Sequence, residues 1–447
     1  MRFSSSRPVC SSLLLSFPAS VTLLSAQEVS PPGNPGAAAA VSAVVPGIDS
    51  GNTAWLLTST ALVLFMMIPG LALFYAGLVR ARNVLSVLMQ CFALTAVLSL
   101  VWLAFGYSAA FSEGGSFVGS FTSLAFLKGT APGTVRAGTT IPEFLYFAYQ
   151  MTFFVITPGL IIGAVVERMK FTAMMLFMTL WSILVYLPVC YMVWFKGNYF
   201  GLTGVIDHAG GIVVHITAGI AALVACIIVG PRRDHGKQAI MPHNLPMTVT
   251  GAAMLWVGWF GFNAGSGLAA DGHAAMTLVV THLSACTATL VWMAIEWAVL
   301  KRPTVLGAAT GSIAGLAAIT PAAGSVGPVG ALIIGAVSAA VCWWFSIKVK
   351  ARFNYDDSLD VFGVHGIGGL VGTVLLGVLA HDTFGGLKNE ASLTTQTLAA
   401  LYTILYSALV SILLLVLLRK TIGLNVTDLQ EREGLDYSEH GENAYNH

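Results

Sequence analysis

Apolar runs long enough to cross a bilayer fill almost the whole chain from Thr53 onward, each close to the ~20 residues a transmembrane helix needs. Eleven are expected, at 54–79, 84–111, 142–166, 171–194, 208–230, 245–266, 273–300, 304–321, 327–349, 361–381 and 394–418. In hydrocarbon each backbone N–H and C=O must find its partner inside the segment, and runs of this length do so as helices. Only 9% of residues are charged, against the roughly 25% of soluble domains. The expected fold is therefore an all-α polytopic membrane protein with eleven transmembrane helices and membrane lipid as its surroundings. A net charge of +1 gives no reason to expect a nucleic-acid partner. Glycines recur at small-xxx-small spacing, as in Gly261/Gly265, Gly311/Gly315 and Gly368/Gly372, a pattern that lets helix backbones approach closely in lipid.

The connecting charges predict an orientation. One set of loops carries Arg80, Arg82, Arg168, Lys170, Arg232, Arg233, Lys237, Lys301, Arg302, Lys348, Lys350 and Arg352, and the tail adds Arg419, Lys420 and Arg432. The opposite loops carry only Lys128, Arg136, Lys196 and Lys388. By the positive-inside rule the mature N-terminus lies outside and the C-terminus in the cytoplasm. Residues 1–26 read as a signal peptide, with Arg2 and Arg7 before an apolar stretch that ends at Ser25-Ala26. Residues 27–52 read as an extracytoplasmic lead-in, 53–421 as the membrane domain, and 422–447 as a cytoplasmic tail that is acidic and solvated by composition alone. The six cysteines are scattered without ligand spacing and read as apolar filler, so neither a disulfide framework nor a zinc site is expected.

Two segments share a spacing. Asp207 stands eight residues before His215, Asp357 eight before His365, and each histidine lies early in a span. Ionisable side chains inside a membrane are costly and by default mark a site. Their matched offsets suggest two duplicated halves, at about 53–230 and 245–381, followed by a last helix at 394–418. Five crossings invert the second copy, giving a 5+5 inverted repeat with one ring from each half facing a shared pore. Phe74-Tyr75-Ala76-Gly77 at the end of the first span and Phe262-Asn263-Ala264-Gly265 at the end of the sixth echo that repeat. Gly211 and Gly219 leave the face around His215 bare, as a pore wall or a close helix crossing would require. Asp207 is placed to cap its helix. His282 has no repeat partner and reads as structural. Trp194, Tyr149 to Phe153 and Trp259 to Ser266 gather aromatic and hydroxyl groups near the outer surface. They suit either an interfacial belt or a vestibule that holds a small cation over ring faces.

Asp207 to His215, Trp259 to Ser266 and Asp360-Val-Phe-Gly-Val-His365-Gly together resemble the signatures of the Amt/Mep/Rh ammonium transporter family, closest to its bacterial Amt branch, over residues 53–446. The resemblance implies an eleven-helix bundle assembled as a homotrimer in the bacterial inner (cytoplasmic) membrane, with a pore in each subunit. It implies an outer ammonium site at Trp194, Tyr149 and Ser266, ordered by Asp207, and a stacked gate of Phe153 and Phe262. His215 and His365 would then hydrogen-bond side by side in the pore as a proton relay. It also implies that Gln430–Asp436 and His440–Tyr445 form a regulatory tail read by a PII-type signal protein. Two positions depart from the usual pattern. Tyr149 and His208 stand where the family generally has phenylalanine, and His208 is expected to gain charge below pH ~6.5.

The function these features imply is uptake of ammonium, and of methylammonium, with no enzyme chemistry, cofactor or metal. An ion crossing hydrocarbon costs ~3 to more than 10 kcal/mol, and cation–π contacts of ~0.5–2 kcal/mol each offset only part of that. Neutral ammonia avoids the cost, so ammonium would be captured outside, lose its proton near the gate, and pass the histidines as NH3. An ammonium sensor with the same fold is the alternative. No fused signalling domain is seen, which favours transport. A metal enzyme built on the histidine pair lacks the further ligands it would need.

Overall fold

In this computed structural model, residues 47–387 and 391–445 are described. The expected signal peptide at 1–26, the first part of the expected lead-in, Cys10 and Lys388 lie outside the described residues. The apolar runs form helices in chain order: α1 (Ser50–Leu78), α2 (Ala81–Phe111), α3 (Glu143–Val165), α4 (Phe171–Lys196), α5 (Gly211–Val229), α6 (Leu245–Gly265), α7 (Gly272–Leu300), α8 (Val305–Ile319), α9 (Pro328–Phe353), α10 (Phe362–Leu379) and α11 (Leu393–Thr421). All but α8 are long and apolar enough to span a membrane, ten in total among the described residues. Those residues form no strand, only isolated bridges. Helix α1 starts inside the expected lead-in, because the Asp49 side chain accepts the Asn52 N–H and caps it.

At 15 residues α8 is the short exception, about 22 Å at 1.5 Å per residue. Every residue from Gly311 to Gly327 is buried, so this helix ends against protein. Irregular backbone is tolerated at membrane depth under that condition.

Close crossings place the two histidine-bearing helices. A Cβ on Gly219 of α5 would lie 2.2 Å from Gly366 Cα of α10, and one on Gly369 would lie 2.8 Å from His215 Cβ. The bare face around His215 is thus a helix crossing, tight enough to bring backbone against backbone. Helices α1 and α6 meet the same way, with Gly251 against the Phe74 backbone nitrogen at 2.2 Å. The spaced glycines Gly311 and Gly315 accept α7, and Gly372 accepts the Ala318 carbonyl of α8.

One end of the bundle, the tail end, is knotted by buried charge. Arg232 holds the Asp356 carboxylate with two side-chain bonds of 2.9 and 2.8 Å. Arg168 reaches Gly230 O at 2.6 Å, Asp356 O at 2.7 Å and the Ser358 hydroxyl at 2.8 Å. These bonds tie the α3–α4, α5–α6 and α9–α10 loops together. Burial works to raise the Asp356 carboxyl, but the bonds from Arg232 and the charge of Arg168 outweigh it and hold it well below the usual range.

The tail is docked onto the bundle, contrary to its composition. Two short helices, α12 (Asp428–Glu433) and α13 (Leu435–His440), follow α11. Asp436 accepts the Ser86 N–H at 2.8 Å in the first turns of α2, and Glu439 accepts the Phe171 N–H at 3.0 Å at the start of α4. Carboxylates are favourable at helix N-termini, where backbone donors are unpaired. Leu435 is 1% exposed, and Glu431 binds the Arg233 N–H at 2.8 Å.

Candidate functional site

The opposite end carries Trp194, and from it a row of spaces leads toward the tail end. Trp194, at the end of α4, donates its indole N–H to Asp207 O at 2.8 Å. Its ring lines a cavity of about 160 Å³ together with Tyr146, Gln150, Phe153, His208, Ser266 and Leu268. Trp194 is therefore a cavity wall rather than part of a lipid-facing belt. Tyr146, Gln150 and Phe153 share a face of α3 at i, i+4, i+7 spacing. Gln150 Oε1 is buried with no hydrogen-bond partner, and Arg136 covers a face of the Tyr146 ring at 4.5 Å.

Asp207 orders this end from below. The residue preceding α5 is Gly210, which makes no side-chain cap bond. Instead the Asp207 carboxylate, further upstream, accepts four backbone N–H bonds: Gly210 (3.0 Å), Gly211 (2.6 Å), Ile212 (2.8 Å) and Val213 (2.9 Å). The helix consequently begins at Gly211, later than the expected 208, and opens with a wide π turn, Gly211–Ile216, that contains His215. His365 occupies the matching π turn, Phe362–Gly366. Such turns concentrate at functional sites.

Phe153 and Phe262 stack beneath the cavity with centroids 4.2 Å apart and planes at 26°. The Phe153 ring meets Trp194 edge-on at 5.8 Å. Past the pair the free space narrows to about 10 Å³, lined by apolar side chains with His215 and His365, or about one water. The rings approach Nδ1 to Nδ1 at 3.3 Å with planes at 19°. One Nδ1 donates and the other accepts. Trp259 stacks on His215 at 5.6 Å and is fixed by a 2.9 Å bond from its indole N–H to Thr320. His215 Nε2 is buried and unpartnered. His365 also lines a wider cavity of about 220 Å³ toward the tail end, with Arg232, Glu296 and Asp360. Among the described residues no group of three His, Cys, Asp or Glu side chains could hold a metal. His282 lies apart from this row, exposed on α7 beside Trp256 and Phe260.

The profile of the Ammonium Transporter Family matches residues 54–445. The chain belongs to the ammonium transporter family. It is 45% identical over 406 residues to an ammonium transporter of Aquifex aeolicus, covering 89% of this chain and 94% of that one. The solved structure of Saccharomyces cerevisiae Mep2 superposes with a TM-score of 0.79 at 31% identity, over 86% of this chain and 89% of that one. A structure titled Sensor Amt Protein gives the same TM-score at 27% identity, over 87% and 98%.

In this member of the family the two residues expected to depart from the usual pattern behave differently. Tyr149 is fully buried and does not line the cavity. Its hydroxyl turns toward α6, within 2.9 Å of the Gly261 and Phe262 carbonyls and 3.2 Å from Ser266 Oγ. Tyr149 thus stands behind the cavity, against Phe262 and Ser266, with its ring 5.1 Å from Phe153. His208 does line the cavity. Burial pushes its pKa down to about 4, so it stays neutral well below the pH ~6.5 at which an ordinary histidine gains charge.

Proposed function

We propose that the chain takes up ammonium across a bacterial inner membrane by excluding the ion and passing its neutral base. Eleven crossings, α8 included, leave the N-terminus outside and the tail in the cytoplasm, as the loop charges favour. Two inverted five-helix repeats supply one histidine each, and the subunits assemble as a homotrimer with a pore in each. Ammonium is captured in the cavity walled by Trp194, Phe153 and Ser266, with Tyr149 and Asp207 holding these groups in place. At the Phe153/Phe262 gate it hands its proton to the His215/His365 relay, and NH3 passes along the same two rings.

The observation that carries this reading is the histidine pair, 3.3 Å apart in about 10 Å³ of otherwise apolar space beneath stacked phenylalanines. With one Nδ1 proton shared between two neutral rings, the outer nitrogens offer one N–H and one lone pair. Ammonia can use both. Potassium has no proton to shed, and the space is too small for its hydration shell. The docked tail suits a cytoplasmic PII-type partner that reads or displaces it.

Purified protein in liposomes tests the reading. An inward ammonium gradient should drive saturable flux while an equal potassium gradient drives none. A sensor of the same fold, favoured by the likeness to the Sensor Amt structure, would instead bind ammonium with negligible flux. Trp194→Leu should raise the half-saturating ammonium concentration several-fold, from the loss of a cation–π contact worth ~0.5–2 kcal/mol.

A further inference from the structure

His208 lines the outer cavity, and the scheme above gives its ring no role. Its Nε2 lies 2.9 Å from the Asn263 carbonyl oxygen. A carbonyl can only accept, so Nε2 carries the proton and the neutral ring presents Nδ1 as a bare lone pair. Among the described residues Nδ1 has no hydrogen-bond partner. It is not among the buried unpartnered atoms, so it keeps some accessible surface on a ring that lines the cavity.

The surroundings keep that nitrogen open. Gly324 borders it, and a Cβ there would come within 2.2 Å of Nδ1. The Gly324 carbonyl is held at 2.6 Å by Nε2 of His273, whose ring meets His208 edge-on at 5.8 Å. Only a residue without a side chain leaves the edge of His208 uncovered at that distance.

The cavity is otherwise better supplied with ring faces than with acceptors. Ammonium carries four N–H donors in a tetrahedron, and aromatic faces answer its charge more than its hydrogen bonds. Ser266 Oγ donates its own proton to Phe262 O at 2.8 Å and, even with the Tyr149 hydroxyl 3.2 Å away, keeps one lone pair free. Gln150 Oε1 is buried and unpartnered. His208 brings a third acceptor, Nδ1, to the same cavity of about 160 Å³, which has room for an ammonium ion with water around it.

We propose that His208 is a specificity-determining residue of the outer site, its Nδ1 accepting a hydrogen bond from ammonium in the cavity it shares with Ser266 and Gln150. This rests on the outer-site reading above. Phenylalanine, the residue the family pattern leads one to expect here, provides no acceptor. The extra bond favours a cation with N–H donors over an alkali ion of similar size.

The test is flux against ammonium concentration in proteoliposomes for wild type, His208→Asn, His208→Gln and His208→Phe. The amide oxygen of asparagine falls near the place of Nδ1, whereas the amide of glutamine reaches that of Nε2. Loss of the acceptor should raise KM about three- to tenfold in the Phe and Gln variants with kcat little changed, the scale of one ordinary net hydrogen bond. His208→Asn should recover most of the lost affinity. A purely structural role through Asn263 predicts the reverse order, with Gln tolerated and Asn impaired, and that order would overturn the proposal. So would a wild-type KM in His208→Phe. Trp194→Leu is run alongside. If it too leaves KM unchanged, the outer-site reading itself fails; if it raises KM while the His208 series stays flat, only the role of His208 is lost.

Discussion

The Asp207–His215 and Asp357–His365 segments share spacing and a π turn, yet their carboxylates live in different surroundings. Asp207 accepts four backbone N–H groups and supports the start of α5 under the Trp194 end. Asp357 receives the Phe362 N–H at 2.8 Å through one oxygen, while its other oxygen is buried without a hydrogen bond. Burial raises both carboxyls. At Asp207 the four amides oppose it, whereas at Asp357 the neighbouring Asp360 charge adds to it and the pKa reaches about 6. The shared spacing therefore goes with matching positions of the two histidines, while each carboxylate answers to its own surroundings. The Trp194 end holds a rigid scaffold and the tail end a carboxyl with spare bonding capacity beside the Lys350–Asp360 ion pair.

The sharpest way to break this comparison is to replace each acid in turn. Asp207→Ala strands four donors, each bond to a charged group being worth ~1.5–3 kcal/mol and not fully additive. A loss of at least ~4 kcal/mol, or failure to yield folded protein, is expected in thermal unfolding in detergent. Asp357→Asn should cost under ~1 kcal/mol, since only a single acceptor is needed there. Equal losses in the two variants would erase the distinction.

At the tail end, the stabilising carboxylate is Asp356. Asp356→Ala leaves Arg232 buried without its partner and should cost ~3 kcal/mol or more. Its depressed pKa sets the sign of the pH effect. The stabilisation is complete above the unfolded carboxyl's pKa, near ~4, and is lost as pH falls below that toward the lower folded value. An acid unfolding limb that flattens in Asp356→Ala is the expected result.

A smaller effect tests what brings the two segments together. Gly219→Ala would push a methyl into Gly366, an overpacking that should cost ~1–3 kcal/mol and slow ammonium flux by spreading the histidine pair. The titration of Asp357 comes last. With a raised folded pKa, its protonated form is favoured in the fold, so stability should drift down from about pH 4 to about 6 and then level. Infrared spectroscopy should show a protonated carboxyl band lost near pH 6 and missing in Asp357→Asn.

Much of this architecture was legible from residue order. The apolar runs located the helices, and the matched Asp/His offsets marked two segments whose rings meet in the fold. Contacts between distant segments were not legible. Tyr149 was expected in the outer site, but a helix turns ~100° per residue, and the face formed by Tyr146, Gln150 and Phe153 leaves Tyr149 at its rim. The i, i+4, i+7 spacing of those three residues was the signal available. The four-amide role of Asp207 depends on a loop trajectory that spacing alone cannot give. The tail's acidity suggested solvation because nothing local records that Asp436 and Glu439 meet the unpaired donors of α2 and α4.

The central claim is that paired imidazoles in a nearly closed apolar passage admit ammonia and refuse the ion. Ammonium and potassium fluxes through wild type and a double variant with apolar residues at His215 and His365, reconstituted side by side, test it most directly. The account predicts ammonium flux without potassium flux in wild type, and in the double variant either loss of ammonium flux or a potassium leak. Unchanged flux and unchanged selectivity in the double variant would contradict it.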